Sequence, residues 1–144
     1  MQTFLPYPDF RQTVKCLDYR RLGKQRVEAF QILKILNGET NRWQNHPAVL
    51  MWEGYEDALG SYMNHCILEW IIGRGYKNTM QYAVMPTTKI KMPDWFGDEN
   101  FHASHRSNLL RKKPEHYSQF GWIEEDNLPY VWPIKRINNE TAFV

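Results

Sequence analysis

With 144 residues, a net charge of +2 and 42% hydrophobic side chains, the sequence has room for one domain with a real core, and its total charge names no partner. Cys16 and Cys66 both lie in apolar helical contexts with no CxxC spacing and read as reduced core thiols of an intracellular protein. No apolar run reaches membrane-spanning length and no signal peptide is recognisable, so a cytoplasmic protein with no membrane partner is expected.

In chain order, Pro6 and Pro8 keep the first eight residues extended. Asp9 suits the N-cap of a short helix over 9–17, and Asp18 the start of a second over 18–37. In that second segment Val27, Phe30, Leu33 and Leu36, widened by Ile32 and Ile35, form an apolar stripe that stops at Gly38. Residues 39–46 read as a polar loop, and Pro47 as the first residue of a long helix to 72. Its stripe runs Ala48, Trp52, Tyr55, Leu59, Tyr62, Cys66, Trp70 and reads as core. Residues 79–97, with Pro86 and Pro93, are an irregular connection. Helices over 99–112 and 114–120 follow, then a tail with Trp122, Tyr130 and Trp132 that frays into polar residues. No strand alternation persists. The expectation is a single all-α domain over 1–144, with four to five helices and a monomeric chain.

The charge is unevenly placed. Residues 11–26 hold six basic side chains against Asp18 alone, residues 102–116 hold four against Glu115, and residues 47–69 carry four acids and no Lys or Arg. With six Trp, eight Tyr and seven Phe, more rings are present than a core this size requires. Basic stretches with spare rings suit a nucleic acid.

Two clusters carry chemistry. On the second helix Arg20, Arg21, Lys24 and Arg26 crowd two turns, and Arg21, Gln25 and Glu28 share a face, with Lys24 one turn before Glu28. A carboxylate among cations at the edge of a core is either a functional group or one ion pair at a solvated helix end. The second cluster is HASHRSNLLRK. His102, His105 and Arg106 share one face, and Ser104, Asn108 and Arg111 another, with Lys112 following. These residue types suit phosphate contact, and the two His suit acid/base work near neutral pH. A structural role and a metal site remain beside these readings, although zinc spacing is missing. His46, before Pro47, either caps a helix or faces a cleft.

The segments LDYRRLGKQRVEA, NHPAVLMW and HASHRSNLLRK resemble the pyrimidine-dimer DNA glycosylase/endonuclease V group over nearly the whole chain. That resemblance implies a compact all-α enzyme of DNA repair with no cofactor or metal, binding double-stranded DNA with a damaged pyrimidine. The family flips a nucleotide out of the duplex, attacks sugar C1′ with an N-terminal α-amine, and cleaves the strand by β-elimination. An α-amine, with an ordinary pKa of about 7.7–8.0, is nucleophilic near neutrality.

Two departures shape the assignment. The family's amine belongs to a small residue exposed by loss of the initiator Met, whereas position 2 here is Gln2, so the amine is expected on Met1, with Lys24 as fallback. The family's catalytic Glu directly follows the Arg of a Tyr-Arg pair, but Arg21 follows Tyr19-Arg20 here. The role then passes to Glu28, with Asp18 as the other acid. The expected catalytic set is Met1, Glu28 and His105. The expected nucleic-acid contacts are Arg20, Arg21, Lys24, Arg26, His46, His102, Arg106, Asn108, Arg111 and Lys112. The rivals are a non-catalytic nucleic-acid-binding module and a metal-dependent nuclease using His102 and His105.

Overall fold

The computed structural model describes residues 1–137 and 140–144, and the protein is all-α apart from one short ribbon. Helices α1 (Phe10–Cys16) and α2 (Tyr19–Leu36) follow the N-terminal arm. Then come α3 (Pro47–Leu50), α4 (Glu56–Leu68), α5 (Glu99–Lys112) and α6 (Pro114–Tyr117). The Asp9 carboxylate caps α1 by accepting the Gln12 N–H at 2.7 Å, as its position just before the helix requires.

Helix α2 packs along α4. The stripe it buries is Leu22, Gln25, Ala29, Ile32 and Ile35, while Val27 and Phe30 face solvent. The expected stripe is therefore rotated, because a glutamine lies inside the true one. Gln25 tolerates burial because all its hydrogen-bonding groups are taken, as described below.

The expected helix over 47–72 is broken. Gly54 adopts a left-handed φ of +85°, the chain turns over 51–55, and α4 then runs into a wide π-turn at Glu69–Gly73. Ala48, Trp52, Tyr55, Leu59, Tyr62, Cys66 and Trp70 are nonetheless all buried. The apolar periodicity ran across the break because the turn delivers side chains to the same core as the helices on either side.

Residues 79–97 form no regular element among the described residues. They are anchored: Asn64 exchanges two hydrogen bonds with the Ala83 backbone, at 2.8 and 2.9 Å, and the buried Trp95 indole N–H donates to Met51 C=O at 3.0 Å. Cys16 and Cys66 are free and buried, and burial pushes both thiols up to about 12. At the C-terminus, β1 (Lys135–Ile137) pairs antiparallel with β2 (Glu140–Ala142), Arg136 opposite Thr141. Trp132 and Val144 exchange two further backbone bonds at 2.8 Å. The tail thus pairs where fraying was expected. Three-residue strands are too short for alternation to register in a sequence, and residues 138–139 lie outside the described ones.

Candidate active site

The N-terminal arm runs in extended form between α2 and α5, and where it meets the exposed side of α2 there is a cleft of about 380 Å³. The arm contributes Met1, Gln2 and Phe4 to its lining. Helix α2 contributes Arg20, Arg21, Lys24, Gln25 and Glu28, the end of α5 Lys112, and the tail Tyr130. Of the residues singled out in the sequence, Met1, Glu28, Arg20, Arg21, Lys24 and Lys112 are brought together here.

Glu28 is the one acid of the lining. One carboxylate oxygen accepts the Gln2 N–H at 3.2 Å and the Gln25 side-chain N–H at 3.0 Å. The other faces the Lys24 ammonium at 3.8 Å. The peptide N–H held by Glu28 is that of the residue next to the terminal amine. The cations crowd one another: burial and the neighbouring Arg21, Arg111 and Lys24 hold the Lys112 ammonium below its usual pKa. Arg21 is fixed from behind, its guanidinium donating to the Asp18 carboxylate at 3.1 Å. Burial works against ionisation of Asp18, but hydrogen bonds from Tyr117 and Arg21 outweigh it and keep its carboxyl below the ordinary range. Asp18 is thus spent on holding Arg21.

His46 caps α3, its Nδ1 accepting the Ala48 N–H at 3.0 Å, so in the neutral ring Nε2 carries the proton. The ring stands edge-on between Trp43 and Trp132, with centroids 5.4 and 5.8 Å away. Burial and then the nearby terminal ammonium lower its pKa, with Glu28 opposing. His46 is not among the residues that line the cleft, although its charge is felt by the terminal ammonium and Glu28.

The other expected site residues lie elsewhere. His102 and His105 are fully buried. His105 Nδ1 accepts the Leu5 N–H at 2.9 Å, and His102 Nδ1 bonds Leu5 C=O at 2.7 Å while its Nε2 accepts the Gly97 N–H at 3.0 Å. Burial, reinforced by His102, pushes the His105 pKa down to about 3. Both rings are neutral core groups, so neither lines the cleft and His105 is not placed to move a substrate proton. Three of their four ring nitrogens bond backbone, and the fourth, His105 Nε2, is buried without a hydrogen-bond partner; among the described residues no three potential metal ligands converge.

Arg106 is buried and paired with Glu99 and Glu124, and donates to Pro6 C=O at 2.7 Å. Asn108 is buried against Ser104 C=O and Leu128 C=O. Neither is available to phosphate. Arg26 leaves the cleft for the other side of α2, its guanidinium 4.3 Å over Trp70 and bonded to Asn78 at 2.6 Å. Arg111 is exposed at the end of α5, bonded to Asn108 and to Asp126 C=O. The corrections on α5 share one cause. A polar stretch reads as surface unless something shows that both chain ends fold over it.

The residues not picked out as site members are Gln2, Phe4, Gln25 and Tyr130. Gln25 lay on the face with Arg21 and Glu28, but its role depends on the arm crossing α2, which no local pattern records. Tyr130 belongs to the ring-rich tail, and its phenol is raised by burial, with Arg111 and Arg21 opposing.

A cleft with one carboxylate and four cations, on an all-α protein, suits a polyanionic ligand. Residues 1–84 match the family model described as pyrimidine dimer DNA glycosylase, and the chain belongs to that family. It is accordingly a DNA glycosylase of DNA repair, with pyrimidine-damaged DNA as substrate. The matched span includes Met1, Arg20, Arg21, Lys24, Glu28 and His46 and ends before α5. No curated protein and no solved structure matches the chain. No helix among the described residues is long and apolar enough to cross a membrane.

Proposed function

We propose that the enzyme is a glycosylase with abasic-site lyase activity on duplex DNA, and that the Met1 α-amine is its nucleophile and Glu28 its acid/base group. The observation that carries this reading is the bond from the Gln2 N–H to the Glu28 carboxylate, which ties the amine-bearing end of the chain to the one acid in a cationic cleft.

The neutral amine bonds to C1′ of the damaged nucleotide as the glycosidic bond breaks, its electron pair leaving with the base. Glu28 takes the proton lost by the amine and stabilises the cationic sugar. Glu28 passes that proton to the ring oxygen as the sugar opens to an imine, then takes a C2′ proton, and the C3′–O bond breaks with its electron pair leaving on the 3′ phosphate as the strand is cut. Arg20, Arg21, Lys24 and Lys112 hold the phosphates, and Arg111 extends their row; Arg21 is pre-set by Asp18. His46 stands between two indoles that suit an unstacked base.

A strand-cleavage assay tests this, run on one duplex with a cyclobutane thymine dimer and one with an abasic site. Glu28→Gln keeps an oxygen for the Gln2 N–H but cannot move protons, so kcat on both substrates is expected to fall by about 100-fold or more, with duplex affinity retained. Full activity of the variant on the abasic duplex contradicts the assignment.

A further inference from the structure

The N-terminal arm is buried and pairs with no strand among the described residues. Thr3, Leu5 and Pro6 are inside the protein, and side chains take the arm's backbone groups one after another. Gln2 N–H goes to Glu28 and Gln2 C=O to the Gln25 amide, at 2.9 Å. Phe4 N–H donates to Gln25 Oε1 at 2.8 Å, and Phe4 C=O accepts the Tyr62 hydroxyl at 2.9 Å. Leu5 N–H goes to His105, Leu5 C=O to His102, and Pro6 C=O to Arg106. Gln25 uses its whole capacity: Oε1 accepts from Phe4 and Tyr62, and Nε2 donates to Gln2 and Glu28.

We infer that α5, with Gln25 and Tyr62, is a clamp that fixes the register of the N-terminal arm and so sets the terminal amine against Glu28. His102, His105, Arg106 and Gln25 are then positioning residues for the lyase chemistry proposed above, and the inference rests on that reading. Apolar packing alone would bury the arm without choosing its register, because it is non-directional. Directional bonds to successive N–H and C=O groups do choose it: a slip of one residue breaks all of them and strands polar groups in the core. A peptide advances about 3.3 Å per residue in extended form, so one step of register removes an amine from bonding reach of a carboxylate. His105 acts on Leu5 from inside the core and reaches no reacting atom, so any effect it has on rate passes through the arm.

The test uses the full chain and an abasic-site duplex, with strand-cleavage kinetics and amide hydrogen exchange read together. His105→Leu, which leaves the Leu5 N–H without an acceptor, is expected to speed exchange at residues 3–5 and lower kcat tenfold or more with KM unchanged. His105→Asn, which puts an oxygen where Nδ1 stands, is expected to restore most of both. Where His105→Leu does not fold, Tyr62→Phe removes only the hydroxyl on Phe4 C=O and Gln25 and gives the same two readouts. Unchanged arm exchange overturns the clamp. Loosened exchange with unchanged kcat overturns its coupling to the chemistry while leaving the lyase reading in place. A wild-type protein that cleaves no abasic strand overturns the lyase reading and this inference with it.

Discussion

Glu28 depends on Gln25 twice: for the N–H that holds its carboxylate, and for the bond that keeps Gln2 C=O beside it. Gln25→Leu leaves Glu28 free to swing to Lys24, and kcat on an abasic duplex is expected to fall at least tenfold while the salt dependence of binding is unchanged. The second residue-scale prediction concerns pH. His105 is neutral when folded, with its pKa pushed down to about 3, against about 6.5 for an unfolded histidine. The unfolded chain therefore binds the extra proton. The stability that this group contributes is complete above pH 6.5 and is lost as pH falls toward 3. Denaturant titrations across that window are expected to give a free energy of unfolding that falls as the pH is lowered. In His105→Asn the slope is expected to be shallower by about 1.4 kcal/mol per pH unit, the weight of one proton. Equal slopes in the two proteins contradict a buried neutral His105.

Among the elements, α2 and α5 divide the labour. Helix α2 carries the cleft on one side and on the other takes Trp70, whose ring lies so close to Gly23 that a Cβ there would sit 2.9 Å from it. Gly23→Ala is expected to cost about 1–3 kcal/mol in denaturant unfolding, because the indole is held on its other sides by Arg26, Tyr19 and a bond from its N–H to Lys77 C=O. Helix α5 is polar on two faces for two clients. His102, His105 and Arg106 take the N-terminal arm, while Ser104, Ser107 and Asn108 bond the backbone of the tail at Glu125, Leu128 and Val131. The separation of these faces was legible in the sequence, but their chemistry was not: the same residue types serve phosphates or backbone, and spacing does not say which arrives. Salt titrations of duplex binding separate the two uses. Arg20→Ala, Lys24→Ala and Lys112→Ala are each expected to reduce the slope of log K against log salt by about 0.9. Arg106→Ala is expected to leave the slope unchanged and to cost about 3 kcal/mol of stability, by leaving Glu124 without its partner.

At the scale of the whole molecule, both chain ends converge on α5 and deliver Met1 and Tyr130 to the cleft built on α2. Local signals carried the helices: a cap at Asp9, Pro47 at a first-turn position, and apolar periodicity into the core. They also carried the half of the site that sits on one element, since Arg20, Arg21, Lys24 and Glu28 are neighbours on α2. What escaped was one local feature, the turn at Gly54 that the apolar periodicity masked, and two long-range ones: the burial of α5 and the convergence of residues 1–6 and 122–132 on it. Such contacts join residues about 100 positions apart, as Leu5 and His105 are, and leave no periodic trace in either segment.

The most direct measurement is borohydride trapping on an abasic-site duplex in the presence of a chelator, with the protein–DNA adduct mapped by peptide. A chelator-insensitive covalent adduct on the Met1 amine, lost in a protein whose α-amine is acetylated, is the expected result. An adduct on Lys24, or strand cleavage with no trapped adduct at all, contradicts an N-terminal nucleophile held against Glu28.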